Sequence, residues 1–148
     1  AVLLDNIRSA WNVGSILRSA DGLGIDPVYL CGITSTPENE AVRKTSLGAE
    51  DHLTWSYHKD AVRLATELKT EGWRIIALEE GKGSKPLSTD TVRIQGKWVL
   101  ILGNEVTGVD PDLLALSDEI LSIPMRGKKR SLNVAIAFSI AVFTLRVD

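Results

Sequence analysis

Short apolar runs alternate with segments of helical pattern along almost the whole chain, and this alternation constrains the fold more than any other feature. The strand-like runs are residues 2–4, 27–31, 52–55, 73–78, 98–102 and 119–123, and the helical patterns are residues 13–21, 38–47, 59–70, 111–116 and 132–146. The run 98–102 is apolar throughout, as is typical of a central parallel strand. We therefore predict an α/β fold, a mostly parallel sheet with helices on both faces. The stretch 79–95 is the loosest part and is predicted to be a loop with a weak strand.

Composition narrows the class of protein. A length of 148 residues suits one ordinary domain. The 17 basic and 19 acidic residues exclude a basic coat over the whole surface, but they allow a local basic patch. The single cysteine, Cys31, cannot form an internal disulfide, which favours a reducing compartment such as the cytoplasm. With one cysteine and two histidines no zinc site of the usual spacing can form, and no apolar run is long enough for a membrane span.

The first motif segment, residues 5–18 (DNIRSAWNVGSILR), follows a predicted strand and opens a predicted helix. Such a turn offers free backbone N–H groups and the positive end of a helix dipole, so it is a natural site for an anion. Asn12 is the expected N-cap. Arg18 follows six residues later at a different azimuth, so Asn12 must lie in the loop or at the cap if the two side chains cooperate. A capped helix with a solvated arginine is the alternative interpretation.

The second motif segment, residues 102–108 (LGNEVTG), directly follows the most apolar strand. Ligands of open α/β sheets bind at the carboxyl ends of the strands, where Gly103 permits a close backbone approach and Gly108 a tight turn. The segment is not a phosphate-binding P-loop, because Val109 stands where that motif has lysine. Glu105 between the two glycines is a candidate functional residue, and an ordinary strand-to-helix turn is the alternative.

The third motif segment, residues 123–137 (IPMRGKKRSLNVAIA), joins a strand to the last helix, with Ser131 as the expected N-cap. Four cations crowd in front of that helix and repel one another unless an anion such as a phosphate backbone lies nearby. A solvated surface loop is the alternative. The helix beyond is apolar almost all round, which predicts burial on every side and a subunit interface as well as a core.

Together the three segments resemble the three motifs of the SpoU family, in the SPOUT superfamily of RNA methyltransferases. They occur in the family's order, and residues 43–49 (RKTSLGA) are similar to a lesser family segment. The resemblance covers nearly the whole chain and implies a single methyltransferase domain over residues 1–148. It also implies a sheet whose C-terminal part, around residues 103–108 and 123–146, forms a deep trefoil knot. Periodicity gives no sign of such a knot, and knots are rare.

The resemblance implies a chemistry and its residues. S-adenosyl-L-methionine (AdoMet) would be the methyl donor, a ribose 2′-hydroxyl of tRNA or rRNA the acceptor, and no metal would take part. Arg18 would be the central catalytic residue. The other expected site residues fall into three groups. Asn12, Glu105, Ser131 and Asn133 would position the reacting groups; Leu78, Gly103, Ile123 and Leu132 would contact the donor; Arg8, Arg43, Lys44, Arg126, Lys128, Lys129 and Arg130 would contact RNA.

In relatives the site lies at a homodimer interface, with the first-motif arginine supplied by the neighbouring subunit. An arginine is not deprotonated in proteins, so Arg18 would stabilise a developing alkoxide or orient the phosphate that takes the proton. Two other functions remain open. A non-catalytic RNA-binding module would bind RNA without methyl transfer, and an unrelated nucleotide-binding enzyme would have no affinity for AdoMet.

Overall fold

Seven parallel strands form one sheet in the computed structural model, which describes residues 1–81, 83–89 and 94–146. The strands are β1 (Val2–Asp5), β2 (Val28–Cys31), β3 (Trp55–His58), β4 (Arg74–Leu78), β5 (Lys85–Pro86), β6 (Trp98–Leu102) and β7 (Glu119–Ser122). Their order is β3-β2-β1-β6-β4-β7-β5, and every neighbouring pair is parallel. The predicted mostly parallel sheet is confirmed. The direction of strand addition reverses between β1 and β6, where open α/β sheets form a crevice.

Helices cover both faces of the sheet. They are α1 (Ala10–Leu23), α2 (Glu40–Ser46), α3 (Ala61–Thr70), α4 (Pro111–Leu116) and α5 (Val134–Leu145), with a 3₁₀ helix at Ala49–His52. Alternate strand residues divide between two apolar clusters: in β6, Leu100 and Leu102 pack with α1, α2 and α5, whereas Val99 and Ile101 pack with α3 and α4. Because both faces are covered, the inner strands β1, β2, β4 and β6 are apolar at most positions, and β6 is apolar throughout, as predicted for residues 98–102.

Two elements, β3 and α1, begin three residues away from their predicted starts. The strand predicted at residues 52–55 lies three residues later, because the chain leaves Gly48, whose φ is +90°, in a turn of 3₁₀ helix that ends at His52. β3 is an edge strand paired only with β2, so its apolar pattern is weak. Helix α1 begins three residues earlier than predicted. The weak strand expected within residues 79–95 is β5, and residues 82 and 90–93 of that stretch lie outside the described residues.

Within one chain, helix α5 is buried on its inner face only, and the predicted subunit interface on the remaining face stays a prediction. Its inner face packs on the core through Ala135, Phe138, Ala141, Val142 and Leu145. Its outer face carries Ile136, Ile140 and Phe143, which are 54%, 40% and 65% exposed. The helix lies against α1 at the surface of its layer, and no further layer of the described chain covers the outer face. The apolar composition of α5 therefore indicates an outer helix face that has no partner within the described chain.

Helix length and the buried cysteine are two further features of the fold. No helix within the described ranges is long and apolar enough to cross a bilayer. Cys31 is fully buried at the end of β2, and desolvation raises the pKa of its thiol to about 12. The thiol is therefore not a nucleophile at neutral pH.

Candidate functional site

A cleft of about 760 Å³ opens at the carboxyl ends of β4, β6 and β7. This volume is in the range of pockets that enclose a small ligand. Its lining residues are Asn12, residues 78–80, residues 102–108, residues 122, 123 and 125, residues 129–134, and Ala137. All three motif segments thus meet around one cleft, which is what parallel strands with a common carboxyl edge predict.

The second motif segment folds into a closed loop at one wall of the cleft. The backbone N–H groups of Asn104 and Gly108 each donate to the other residue's carbonyl, at 3.1 and 2.9 Å. Inside the loop, Asn104 Oδ1 accepts from Val106 N (2.8 Å) and Thr107 N (3.0 Å). A Cβ at Gly103 would strike the Gly108 carbonyl, so Gly103 is required by loop closure rather than by approach of a ligand.

Two side chains that the sequence did not single out, those of Glu79 and Asn104, fasten this loop to the sheet. Glu79, at the end of β4, accepts from Val109 N through Oε2 at 2.7 Å. Asn104 Nδ2 donates to the carbonyl of Asn6 at 2.8 Å. Asn6 has a φ of +54°, a left-handed conformation that asparagine tolerates better than most residues. The signal available in the sequence was a polar side chain within two residues of the end of a strand, as at Glu79 and Asn104.

A continuous chain of hydrogen bonds links all three motif segments. Glu105 accepts from Arg8 N (2.7 Å) and Ser9 N (2.9 Å) at the start of α1, and from Asn12 Nδ2 (3.4 Å). Asn133 Nδ2 in turn donates to Asn12 Oδ1 at 3.0 Å. The Glu105–Asn12–Asn133 chain therefore connects residues that lie 93 and 121 positions apart in the sequence.

The two ends of this chain determine the orientation of both asparagine amides. An ionised Glu105 only accepts hydrogen bonds, so Asn12 must turn its Nδ2 toward it and its Oδ1 toward Asn133. At the other end, Asn133 Oδ1 accepts from the N–H groups of Ala135 (2.9 Å) and Ile136 (3.3 Å), which can only donate. Both ends of the chain require each amide to turn its Nδ2 toward Glu105, so the O and N assignments of Asn12 and Asn133 are consistent with each other.

Glu105 is held as a carboxylate. Desolvation alone would raise its pKa, but the hydrogen bonds from Arg8 N and Ser9 N outweigh burial and lower the pKa below its ordinary value of 4.5. The positive end of the α1 dipole also favours the charge. A carboxylate of low basicity, already accepting three hydrogen bonds, is suited to positioning Asn12 and not to taking a proton from a substrate.

The helix caps differ from those predicted. Ser9 caps α1 by accepting from Asn12 N at 3.2 Å, so Asn12 lies inside the first turn and not at the cap. Asn133 caps α5, so the prediction for Ser131 is also wrong. A cap is set by which side-chain oxygen reaches the free N–H groups two and three residues ahead, and a sequence with several suitable polar residues does not decide this. Ser131 lines the cleft as an exposed residue.

Arg18 is not brought together with Asn12 and Glu105 within one chain. Six residues along α1 rotate it about 120° away from Asn12. It is exposed, it does not line the cleft, and it makes no hydrogen bond or ion pair with a described residue. It shares the outer face of α1 with Trp11, which is 60% exposed and lies two turns before it.

The four residues expected to contact the donor all line the cleft. Leu78, Ile123 and Leu132 contribute an apolar wall, and Gly103 contributes backbone at its base. The backbone N–H groups of Leu132 and Val134 donate to no described residue, so they are available to a ligand. This combination of apolar surface, free backbone donors and the carboxylates of residues 79 and 80 fits a nucleoside that carries a positively charged amino-acid tail.

The residues expected to contact RNA are all exposed, but they play different structural parts. Lys129 and Arg130 line the rim of the cleft, whereas Arg126 and Lys128 lie elsewhere in the same loop. None of these four forms an ion pair with a described residue. Arg8 and Lys44 are also exposed without a side-chain partner in the described chain.

Arg43 is more constrained than the other basic residues. Its Nη1 donates to the carbonyls of Pro37 (2.6 Å) and Glu38 (3.0 Å), so part of its guanidinium braces the turn before α2.

A second cavity, of about 360 Å³, lies at the end of β1 and contains Asp5, Asp60 and Asp110. Asp5 is only 7% exposed. Burial, then the charges of Asp110 and Asp60, raise the pKa of its carboxyl to about 6. Asp60 and Asp110 are occupied as the N-caps of α3 and α4. Among the residues that the structure describes, no group of three or more acidic, histidine or cysteine side chains is arranged to hold a metal ion.

The sequence and the fold are both similar to known proteins. The 23S rRNA (guanosine(2553)-2′-O)-methyltransferase RlmP of Bacillus subtilis is 32% identical over 147 residues, covering 98% of this chain and 57% of that protein. The AdoMet-bound rRNA methyltransferase of Sinorhizobium meliloti superimposes with a TM-score of 0.88 at 27% identity, covering 98% of this chain and 54% of that one. The TrmH/SpoU tRNA-modifying enzyme of A. aeolicus superimposes with a TM-score of 0.85 at 27% identity, covering 97% and 72%.

The chain spans little more than half the length of the curated relatives that it matches. The sequence profile of the SpoU rRNA methylase family matches residues 1–143, nearly the whole chain. The chain therefore belongs to the SpoU rRNA methylase family.

Proposed function

We propose that the protein transfers a methyl group from AdoMet to a ribose 2′-hydroxyl of RNA. The observation that carries the proposal is the convergence of the three motif segments on one cleft, joined by the Glu105–Asn12–Asn133 chain. Membership of the SpoU family and the AdoMet-bound rRNA methyltransferase of similar fold support it. The similar proteins are named for rRNA and for tRNA, so either class of RNA is a candidate substrate.

The reaction requires little covalent chemistry from the protein. When bound, AdoMet supplies an electrophilic methyl group on a sulfonium: the sulfur–carbon bond breaks, a carbon–oxygen bond forms, and the hydroxyl proton leaves to a base. The protein must align the oxygen with the methyl carbon and stabilise charge on that oxygen. In our proposal Arg18 does the second task, either directly or by orienting a substrate phosphate that accepts the proton. Glu105, Asn12 and Asn133 hold the acceptor side of the cleft rigid.

Homodimerisation would complete this site. Arg18 lies away from the cleft of its own chain, on a face that also carries the exposed Trp11. Helix α5, which packs beside α1, presents the uncovered outer face formed by Ile136, Ile140 and Phe143. A second copy of the chain would bury this apolar surface and could bring its Arg18 to the neighbouring cleft.

The dimer is testable by charge insertion. Ile136→Glu and Phe143→Glu should shift the protein from dimer to monomer in analytical ultracentrifugation, because a charge would be buried at the interface. Ile33→Glu is the matched control, since Ile33 is 65% exposed but lies outside α1 and α5. A protein whose mass is monomeric before any substitution contradicts the proposed dimer.

The basic loop at residues 126–130 is proposed to bind the RNA backbone. Its four cations have no carboxylate partner in the described chain, and two of them rim the cleft. Replacing Lys129 by alanine should weaken RNA binding and lower the slope of log affinity against log salt by about 0.7–0.9. Lys59→Ala is the control, because Lys59 is an exposed lysine that lines the second cavity and not the cleft. An unchanged salt slope in the Lys129 variant contradicts this role.

Two finer features are also proposals. The C-terminal segment would form a trefoil knot, which the family match supports, as does the way residues 122–134 share a cleft with the loop at 102–108. Pulling a knotted chain by its ends should give a fully stretched length shorter than the contour length of the residues.

A cytoplasmic location is supported by the single free cysteine.

The decisive experiment measures transfer and binding separately. Purified protein, AdoMet with a labelled methyl group, and unmodified tRNA or rRNA are incubated together, and the digested RNA is analysed for 2′-O-methylated nucleosides by mass spectrometry. Arg18→Ala should lower the transfer rate by about 10²–10³-fold while AdoMet affinity changes only a few-fold. Arg63→Ala, at an exposed arginine on α3, is the matched control. Wild-type protein that binds RNA but methylates neither pool contradicts the proposed activity.

A further inference from the structure

Glu79, which fastens the 102–108 loop to the sheet, also places an acidic side chain in the wall of the cleft. It is half-buried at the end of β4, where its backbone N–H donates to the Leu121 carbonyl at 2.9 Å. Its Oε2 accepts from Val109 N at 2.7 Å, and its Oε1 accepts from Glu80 N at 3.1 Å. Backbone groups from β7 and from the chain that follows the 102–108 loop therefore hold both the backbone and the carboxylate of Glu79 in place.

The charge of Glu79 has no ion-pair partner among the residues that the structure describes. No lysine, arginine or histidine of the described chain lies within ion-pair distance of it. Each of its oxygens accepts one backbone N–H and retains a lone pair. The cations of the cleft, Lys129 and Arg130, are exposed at the rim, where water and salt screen their charge more strongly than that of a half-buried carboxylate.

The other carboxylates of the cleft are placed less favourably. Glu80 is exposed. Glu105 already accepts three hydrogen bonds, two of them from the start of α1, and it faces Asn12. Glu79 therefore combines partial burial, a fixed position and a charge without an ion-pair partner in the described ranges, and neither Glu80 nor Glu105 does so. Gly108 has a φ of +78°, and a Cβ at this position would strike the Glu79 carboxylate, so the loop closes directly over it.

We propose that Glu79 makes the cleft select the cationic sulfonium donor over its neutral thioether product. The inference rests on the proposed function, because it concerns the same AdoMet site. When the methyl group leaves, the electrons of the sulfur–carbon bond remain on sulfur and the sulfonium becomes an uncharged thioether. The attraction to Glu79 then disappears, so the product is held less tightly than the donor. Glu79 thus acts as a specificity-determining residue that favours donor binding and product release.

The test compares ligands that differ in charge at one position. Calorimetry on the intact protein measures the Kd of AdoMet, of S-adenosylhomocysteine, and of sinefungin, in which a carbon bearing an ammonium group replaces the sulfonium. Wild-type protein should bind both cationic ligands about tenfold more tightly than the thioether. Glu79→Gln retains an oxygen that can accept from Val109 N, so it should bind the thioether as before and lose most of the tenfold preference.

Matched variants separate charge from shape. Glu79→Asp keeps the charge and should keep the preference while weakening all three ligands together. Glu71→Gln removes one charge at an exposed position beyond α3 and should leave the ratio unchanged. Equal affinity of wild-type protein for the three ligands overturns the inference without any variant. So does an unchanged ratio in Glu79→Gln, and both results leave the proposed function standing. Binding of none of the three overturns both proposals.

Discussion

Replacing Glu105 by glutamine tests whether the Glu105–Asn12–Asn133 chain holds the site together. Glutamine has nearly the same shape but only one accepting oxygen and no charge. It can satisfy either Arg8 N or Ser9 N, and its amide nitrogen then faces the other donor. In the wild-type protein both N–H groups donate to the Glu105 carboxylate, at 2.7 and 2.9 Å. Because the glutamine variant loses one of these bonds, we expect the start of α1 to loosen against the loop at 102–108.

The magnitude follows from those bonds. A hydrogen bond to a charged group contributes about 1.5–3 kcal/mol, and the lower end applies here because Glu105 is exposed. Loss of one such bond, together with the weaker interaction with the helix dipole, gives a loss of about 2 kcal/mol in the free energy of unfolding. For a domain of this size the melting temperature should fall by about 4–8 °C.

The dependence on pH has a definite sign. The folded protein lowers the pKa of Glu105 below 4.5, so this group's contribution to stability is present above pH 4.5. It is lost as pH falls through the folded pKa, where the carboxyl is protonated and resembles glutamine. Glu105→Gln should therefore be less stable than wild type at pH 7, and the difference should shrink toward zero as the pH falls below 4.5.

Urea unfolding at a series of pH values between 3 and 7 measures this difference. Glu71→Gln is the matched control, because Glu71 is exposed and its side chain makes no hydrogen bond in the described chain. It should change the free energy of unfolding by less than about 0.5 kcal/mol. A Glu105→Gln protein as stable as wild type at pH 7, or one whose deficit does not change with pH, refutes the reasoning.

Four further substitutions address packing, capping and a buried charge. Gly14→Ala should lower the free energy of unfolding, measured by urea titration, by about 1–3 kcal/mol, because a Cβ there strikes the Val42 carbonyl. Gly22→Ala on the same helix should raise the free energy of unfolding by about 0.5–1 kcal/mol, because a Cβ there meets no other atom. Asn133→Asp keeps the cap of α5 but loses the amide donor, so methyl transfer should fall while the melting temperature stays within a few degrees. Asp5→Asn should stabilise the protein by about 1–3 kcal/mol above pH 6, because folding raises the pKa of Asp5 to about 6 and the buried charge is then unfavourable. The gain should vanish below pH 4, where the Asp5 carboxyl is protonated in both states. Equal gains at the two pH values contradict this.

Much of the site could be predicted because its residues occupy strand-to-helix junctions. Parallel strands place their carboxyl ends at one edge, so any residue directly after a strand is brought near that edge. This reasoning places Leu78, Gly103 and Ile123 at that edge, but the resemblance to the SpoU family singled them out together with Leu132, and all four line the cleft. It did not single out Glu79, because an acidic residue after a strand is common, and only the contact with Val109 N distinguishes it.

The sequence by itself determined the layers of the fold. Apolar periodicity depends on neighbours along the chain, and it decides which segments are strands, which are helices and which face of each is buried. The run at 98–102 became the predicted central strand β6 and the pattern at 111–116 became α4 with the same bounds. The three motif segments, read in order, also identified the family.

Only the tertiary structure decided which polar groups meet. Ser9 and Asn133, rather than Asn12 and Ser131, cap their helices, because the cap depends on which oxygen reaches the free N–H groups. The uncovered outer face of α5 likewise depends on where other layers end, and not on the apolar sequence of the helix. Hydrogen bonds have a range of about 3 Å, whereas the partners in the Glu105–Asn12–Asn133 chain are some hundred residues apart. Their meeting therefore depends on the path of every intervening loop, about which local periodicity carries no information.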